Sequence, residues 1–220
     1  MLIEAVIFDL DGVLVDSEIW WHEARNEWAA ARGLRWTDAD SRAVMGANSR
    51  GWARIMRERL DLQPQSEPAI EAAIVDLVVG RYHAEGAPLI PGAVEAVRRI
   101  SKQLPAAVAS SAHRKVIDAA LEALDLASVL RIAVSSDEVA HGKPAPDVYL
   151  EAARRLDIEP AGCLVVEDSL NGVRAGRAAG MTVVLVPNTA VPPAPEARTL
   201  ADLVLDRLDE LDPFAVRRAA

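Results

Sequence analysis

The amino-acid sequence predicts an α/β fold, a doubly wound parallel sheet with an all-helical segment inserted after its first strand. Short apolar runs alternate with helix-like segments from about residue 91 onward, which is typical of parallel βαβ units. Residues 17–33, in contrast, are helix-like, and the stretch from 37 to about 84 contains no strand-like run. The length of 220 residues suits one sheet domain with a modest insertion.

The predicted elements follow this plan along the chain. The first strand covers 2–8, and the inserted helices cover 17–33, 37–44, 48–60 and 66–84. Later helices are predicted at 93–102, 113–124, 146–156 and 169–179, and later strands at 105–110, 129–134, 162–167 and 181–186. An edge strand at 201–205 and a tail helix at 206–218 follow. We therefore expect residues 1–16 and 85–220 to form the core domain and residues 17–84 a helical cap domain.

Local signals support several of these boundaries. Ser17 is a candidate N-cap for the first helix, and Gly33 is a candidate stop for it. Pro91-Gly92 separates the helical insertion from the alternating part. Residues 187–196 contain four prolines, so this segment is predicted to be a loop.

The composition excludes several classes of partner. The net charge is −9 and no basic run occurs, so we expect no nucleic-acid binding. No apolar run approaches the roughly 20 residues of a membrane helix, so we expect no membrane partner. Cys163 is the single cysteine, which excludes an intramolecular disulfide and fits a reducing compartment. The first residues lack a basic region before Asp9, so we expect no signal peptide and a cytoplasmic location.

Two aspartates come directly after the first predicted strand. Asp9 and Asp11 are separated by one residue, so they begin on the same side of the strand. Two carboxylates that close together are unfavourable unless a positive charge lies between them. The pair therefore predicts a bound cation, a shared proton or a metal-bound phosphate.

Compatible groups follow the other predicted strands. Ligands of open parallel sheets bind at the carboxyl ends of the strands, and these ends hold Ser110, Ser111, Lys143, Glu167 and Asp168. Carboxylates at such an edge suit Mg²⁺, which takes oxygen ligands and is bound together with substrate phosphates. Lys143, Ser110 and the backbone N–H groups near Leu10 and Ser111 are candidate phosphate ligands.

Other phosphate-binding motifs do not match. A P-loop ending at Gly142-Lys143 would need glycine at 137 and serine or threonine at 144, where the chain has Asp137 and Pro144. A dinucleotide-binding turn would need glycines after a strand, where this chain has carboxylates.

The spacing of the two aspartates suggests a division of labour. Asp9, next to the strand, would be fixed in place and could attack phosphorus to form an aspartyl-phosphate. Asp11, beyond the strand and next to Gly12, could protonate the leaving oxygen and then deprotonate water.

Four segments resemble the motifs of the haloacid dehalogenase superfamily, in order and in spacing: Asp9–Ser17, Val108–Ser111, Gly142–Asp147 and Val165–Gly172. More narrowly, the chain resembles the β-phosphoglucomutase-like and sugar-phosphatase branch with a helical cap. The resemblance implies that Asp9 is the nucleophile and Asp11 the acid/base. It also implies that Ser110 and Lys143 bind phosphate. It further implies a Mg²⁺ held by Asp9, the Asp11 carbonyl and Asp168, with Glu167 in or beside the shell.

The cap residues are expected to select the substrate. Arg50 resembles a family arginine that binds the distal part of the substrate, and Asn48 lies in the same segment. Trp21 is a candidate either for the helical core or for the substrate pocket. His22 is either a polar helix residue or a catalytic helper.

The same resemblance leaves two enzyme functions open. The mutases of this branch have a cap histidine where this chain has Trp21, and they use a cap lysine, whereas this chain has no lysine before Lys102. We therefore predict a Mg²⁺-dependent phosphatase acting on a small phosphorylated metabolite, a sugar or polyol phosphate. The alternative is a β-phosphoglucomutase-type isomerase, and a catalytically silent binding module is a third hypothesis. A monomer or a homodimer is expected.

Overall fold

Six parallel strands form one sheet in the part of the chain that the computed structural model describes, residues 2–44, 49–189 and 191–216. The strands are β1 (Ala5–Phe8), β2 (Ala106–Ser110), β3 (Ile132–Ser135), β4 (Cys163–Glu167), β5 (Thr182–Leu185) and β6 (Leu203–Val204). They lie in the order β3-β2-β1-β4-β5-β6. The predicted doubly wound parallel sheet is confirmed.

β1 lies in the middle of the sheet and is buried on both faces. Its side chains alternate between two hydrophobic clusters, with Val6 and Phe8 in one and Ala5 and Ile7 in the other. All four are fully buried. This explains why the sequence of β1 is continuously apolar rather than alternating, as is usual for a parallel strand covered by helices on both sides.

The helices occupy most of the predicted positions. They are α1 (Glu18–Ala30), α2 (Asp38–Val44), α3 (Ser49–Arg59), α4 (Glu67–Glu85), α5 (Ala93–Ser101), α6 (Arg114–Ala123), α7 (Asp147–Leu156), α8 (Leu170–Ala178) and α9 (Glu196–Leu200). Helices α1 to α4 lie between β1 and α5, where the sequence predicts the all-helical insertion. They pack on one another, and α4 also packs on α6. The assignment of residues 17–84 to a separate cap domain stays a prediction.

The strand order places an opening at the carboxyl end of β1. From β1 the chain continues to β2 and β3 on one side of the sheet, and it later returns to the other side of β1 with β4. Ile7 is consequently level with Ala107 of β2 and with Val165 of β4. The connections after β1 and β4 lead to opposite sides of the sheet, which creates a crevice between these strand ends, and ligands of such sheets bind there.

The third predicted strand begins later than expected. It was predicted at 129–134, but β3 is Ile132–Ser135. The backbone N–H groups of Val129 and Leu130 donate to the Leu126 carbonyl (3.0 and 2.8 Å), which closes a turn after α6. Those two residues are therefore unavailable for pairing with β2.

The predicted tail helix at 206–218 is wrong over its described part, which ends at residue 216. That part contains one 3₁₀ turn, Leu208–Glu210, and no α-helix. Two carbonyl groups that an α-helix would use, those of Asp209 and Leu211, accept hydrogen bonds from Arg99 Nη2 instead (3.1 and 2.9 Å). A tertiary contact with α5 thus replaces the helical hydrogen bonds.

Among the described residues, no helix is both long enough and apolar enough to cross a membrane.

Replacing Phe8 by alanine tests how far stability depends on the central strand. Phe8 is fully buried, so Phe8→Ala is expected to lower the free energy of unfolding by about 3–5 kcal/mol. Phe214, the second phenylalanine, is 40% exposed, and Phe214→Ala is expected to cost less than about 1 kcal/mol. Urea unfolding of both variants measures the difference. Equal losses would contradict the assigned core.

Candidate active site

The end of β1 places two aspartates at the crevice. The backbone N–H of Asp9 still donates to the Val166 carbonyl of β4 (3.0 Å), so Asp9 is held like a strand residue. The chain then turns sharply, because the Leu10 carbonyl accepts from the N–H groups of Leu14 and Val15 (2.8 and 3.1 Å). Asp11 therefore lies in a tight turn, and both carboxylates line one cavity.

Gly12 allows a close approach between this turn and the end of β4. Its φ is +85°, and a Cβ at this position would lie 2.0 Å from Oδ2 of Asp168. No side chain fits in that space, and positive φ is also unfavourable for other residues. Glycine at position 12 therefore brings Asp168 next to the aspartate turn.

Lys143 links the first and fourth strand ends. Its Nζ lies 2.6 Å from Asp9 Oδ1 and 2.7 Å from Glu167 Oε1, and it also donates to the Ala109 carbonyl (3.1 Å). Burial alone would lower the pKa of Lys143, but the carboxylates of Asp9 and Glu167 raise it above its ordinary value. Lys143 is therefore a permanent positive charge beside Asp9.

Glu167 holds Lys143 in place. Oε1 accepts hydrogen bonds from Lys143 and from the Tyr149 hydroxyl (2.6 Å). Oε2 accepts from the N–H groups of Asp168 and Ser169 (3.1 Å each) and from the Ser169 hydroxyl (2.9 Å). Although complete burial acts in the opposite direction, Lys143 and these donors lower the pKa of Glu167. Glu167 is thus a fixed, ionised anchor.

Asp11 has the environment of a proton donor. Burial raises its pKa above the ordinary value, and hydrogen bonds from Ser17, Trp21 and Ser110 oppose that rise. The Ser17 hydroxyl donates directly to Asp11 Oδ1. Ser17 precedes α1 as predicted, but its side chain makes no hydrogen bond to the helix backbone.

The carboxylates at the strand ends can hold a cation. Oxygens of Asp9, Glu167 and Asp168 all lie within 4.8 Å of one another. Burial raises the pKa of Asp9 to about 7, with Lys143 opposing the rise, and burial raises that of Asp168 well above its ordinary value. A divalent cation would compensate these charges, and oxygen ligands suit Mg²⁺. Because the oxygens of Glu167 already accept five hydrogen bonds, Asp9 and Asp168 fit the role of direct ligands better.

A second group of metal-ligating side chains fits a metal less well. Glu71, His113 and Asp137 lie within the same distance of one another, beside a separate cavity. His113 Nδ1 accepts a hydrogen bond from the Lys115 N–H at the start of α6 (3.2 Å). That bond engages the Nδ1 lone pair, so a metal at Nδ1 would have to displace the Lys115 N–H.

The cavity at the crevice measures about 420 Å³. Its floor consists of the strand-end groups described above. Glu18, Trp21 and Arg25 of α1 form one wall, and residues of the proline-rich loop after β5 form another. The loop is joined to the aspartate turn by the Asn188 amide, which donates to Asp16 Oδ1 (3.2 Å).

Most of the site residues predicted from the sequence meet at this cavity. It is lined by Asp9, Asp11, Trp21, Ser110, Ser111, Lys143 and Asp168. The side chains of Leu10 and Glu167 are fully buried and do not line it.

Of the predicted cap residues, His22 is described and does not line the cavity. The His22 ring is hydrogen-bonded to the Ser41 hydroxyl and the Asn26 amide (2.7 Å each), away from the lining. Asn48 and the side chain of Arg50 lie outside the described residues.

Several residues of the site were missed from the sequence. Tyr149 contacts Glu167 from α7, and nothing in its local sequence indicates that contact. Trp52 of α3 lines the cavity, although the sequence gives it no pocket signal. Arg25 could have been found, because it is four residues after Trp21 and shares its helix face.

Comparison with known proteins identifies the family. The family model of the haloacid dehalogenase-like hydrolases matches residues 3–180. The chain belongs to this family, and the resemblance predicted from the four motifs is confirmed.

Named relatives agree with this assignment. Hexitol phosphatase B of Escherichia coli K12 is 32% identical, over 94% of this chain and 93% of that protein. The phosphorylated carbohydrates phosphatase of Thermotoga maritima is 35% identical, over 81% and 82% of the two chains. The crystal structure of CbbY from Rhodobacter sphaeroides with phosphate has a TM-score of 0.82 at 28% identity, over 95% and 96%. The predicted enzyme class, a phosphomonoesterase, is confirmed.

Replacing Gly172 by alanine tests whether the Glu167 anchor matters for activity. A Cβ at Gly172 would lie 1.7 Å from Glu167 Oε1, so Glu167 must move and Lys143 loses its position. Gly172→Ala is expected to reduce kcat/KM about a hundredfold. Phosphate release from p-nitrophenyl phosphate measures the change.

The matched control for this prediction is Gly80→Ala in α4. No atom lies within 4 Å of a Cβ at Gly80, so alanine should raise the free energy of unfolding by about 1 kcal/mol and leave kcat/KM unchanged. Wild-type activity in the Gly172→Ala variant would show that the position of Glu167 is unimportant.

Proposed function

We propose that the protein is a Mg²⁺-dependent phosphatase that hydrolyses a small phosphorylated metabolite, a sugar or polyol phosphate, through an aspartyl-phosphate. One observation supports this above all. Asp9 is a carboxylate beside the buried Lys143, and it shares a cavity with Asp11. Burial raises the pKa of Asp11 and so favours its protonated form.

Asp9 is suited to be the nucleophile. Burial removes water from its carboxylate, and Lys143 at 2.6 Å keeps the ionised form accessible. In the first step an Asp9 oxygen forms a bond to phosphorus, and the ester P–O bond of the substrate breaks. The electron pair of that bond goes to the leaving alcohol oxygen.

Asp11 is suited to transfer the protons. Its raised pKa favours a carboxyl group that can protonate the leaving oxygen. The resulting carboxylate then removes a proton from water, which attacks the phosphorus and releases Asp9 and inorganic phosphate. The Ser17 hydroxyl keeps the Asp11 side chain oriented through both steps.

The charge of the phosphate is compensated by groups on three strand ends. Lys143 and the Ser110 hydroxyl, with backbone N–H groups near Leu10 and Ser111, would bind its oxygens. Asp9 and Asp168, with the Asp11 carbonyl, would hold a Mg²⁺ that neutralises the phosphate and lets the Asp9 carboxylate approach.

Names of relatives and one cap residue support the class of substrate and reaction. Hexitol phosphatase B is named for a polyol phosphate, and the T. maritima relative for phosphorylated carbohydrates. Trp21 lines the cavity where the mutases of this branch have a histidine, which favours transfer to water over isomerisation. The cytoplasmic location and the monomeric or dimeric state stay predictions.

Asp9→Asn tests the nucleophile. The amide cannot form an acyl phosphate, so kcat is expected to fall by at least about 10⁴-fold while the fold persists. Phosphate release from a panel of sugar and polyol phosphates measures activity, and thermal unfolding verifies the fold. Activity near that of the wild type would exclude this mechanism. Conversion of β-glucose 1-phosphate to glucose 6-phosphate without phosphate release would establish the mutase instead.

Removal of the metal tests the second part of the proposal. EDTA is expected to abolish phosphate release, and added Mg²⁺ to restore it. Asp168→Asn should raise the Mg²⁺ concentration for half-maximal activity at least about tenfold, because it replaces an anionic ligand by a neutral amide. The matched control is Asp125→Asn, since Asp125 is exposed and its positive φ suits asparagine. Full activity in EDTA would refute the metal requirement.

A further inference from the structure

Arg25 is a buried cation that the proposed mechanism does not use. It lies in α1, is 5% exposed and lines the cavity. The central carbon of its guanidinium lies 5.4 Å from the ring centroid of Trp21 and 5.3 Å from that of Trp52. The two indoles thus fix the position of the guanidinium on the α1 side of the cavity.

The donors of Arg25 are not satisfied by the described residues. None of these residues accepts a hydrogen bond from Arg25, and its Nε is buried without a partner. Leaving a guanidinium buried without acceptors is unfavourable. A ligand in the cavity would supply the acceptors that the described residues do not provide.

Glu18 compensates this charge only in part. It lies two helical turns before Arg25 and also lines the cavity. Burial lowers the pKa of Arg25 to about 10, and the charge of Glu18 opposes that decrease. The two side chains form no ion pair within 4.0 Å in the described structure, so the guanidinium N–H groups remain open to another acceptor.

The cavity therefore has positively charged side chains in two places. Lys143 and the carboxylates that can hold a cation lie at the strand ends, where the reacting phosphate would bind. Arg25 lies on the α1 wall, against the rings of Trp21 and Trp52. A volume of about 420 Å³ lies within the range of small-molecule sites and exceeds the size of one phosphate. The planar guanidinium of an arginine packed on aromatic rings suits bidentate binding of a phosphate or carboxylate.

We propose that Arg25 binds a second anionic group of the substrate, so that the enzyme prefers phosphorylated sugars or sugar acids that carry two acidic groups. This proposal rests on the phosphatase function proposed above and names the class of its substrate. The second group is a phosphate or a carboxylate, since both present the paired oxygens that a guanidinium binds.

Two pairs of substrates distinguish these sources. Fructose 1,6-bisphosphate is compared with fructose 6-phosphate, and 6-phosphogluconate with glucitol 6-phosphate. In each pair the first compound has an additional acidic group. In one of the two pairs, the wild type is expected to have at least about tenfold higher kcat/KM for the first compound than for the second. A factor of this size corresponds to one additional charge-assisted hydrogen bond. The pair that responds identifies phosphate or carboxylate.

Variants of Arg25 test the contact itself. Arg25→Met is expected to lower kcat/KM for the preferred compound at least about tenfold more than that for p-nitrophenyl phosphate, mainly through KM. The loss of kcat/KM in Arg25→Lys should lie between zero and the loss in Arg25→Met, because lysine keeps the charge but lacks the paired donors. The control is Arg32→Met. Arg32 lies just after α1, stacks on Trp28 (3.8 Å) and does not line the cavity. This variant should leave the ratio of kcat/KM for the preferred compound to that for p-nitrophenyl phosphate unchanged.

Calorimetry on the Asp9→Asn protein gives a readout that does not depend on turnover. Binding of the preferred compound should weaken at least about tenfold when Arg25→Met is added. Equal losses of kcat/KM for all compounds in Arg25→Met would overturn the role of Arg25, and so would unchanged binding. Hydrolysis of p-nitrophenyl phosphate by the wild type would still support the phosphatase in either case. A wild type without hydrolysis would overturn the phosphatase, and the binding measurement would still decide the role of Arg25.

Discussion

The buried ion pairs of Lys143 determine the arrangement of the whole site. Four carboxylates approach one another at the ends of β1 and β4, and the only cation among the described residues that contacts them directly is Lys143. Its position is fixed by Glu167, which is itself held by Tyr149 and by the first residues of the loop after β4. Because each partner is buried, removal of one would leave an uncompensated charge in the interior. Sheet, loop and α7 therefore have to fold together before Asp9 acquires its environment.

The core of this site could be predicted from the sequence because a general rule of parallel sheets applies to it. Residues after the strands of such a sheet meet at one edge, so Asp9, Lys143 and Asp168 could be brought together without knowing any contact. The sequence predicted Glu167 in or beside the metal shell, but not its contact with Tyr149, which lies on a different element. The prediction of a tail helix was wrong for a similar reason. Arg99 donates hydrogen bonds to two carbonyl groups that a helix would have used, and the local sequence does not indicate this contact.

In the proposed function, chemistry and selectivity come from different parts of the chain. The strand ends would supply the groups for phosphoryl transfer, whereas α1 and α3 contribute Trp21, Arg25 and Trp52 to the cavity wall. Helical periodicity places Trp21 and Arg25 on one face, but it does not distinguish a pocket wall from a packed core. That difference becomes visible only when the cavity and the unsatisfied Nε of Arg25 are seen together.

Gly12 and Gly172 have a consequence for how such an enzyme can diversify. Any side chain at either position would overlap a carboxylate of the site, at 2.0 Å for Gly12 and 1.7 Å for Gly172. Single substitutions there are expected to damage the reaction itself, whereas substitutions at Arg25, in the role proposed for it, alter which compound binds. In this view, changes of substrate come most easily from substitutions in α1, while Gly12 and Gly172 tolerate few substitutions.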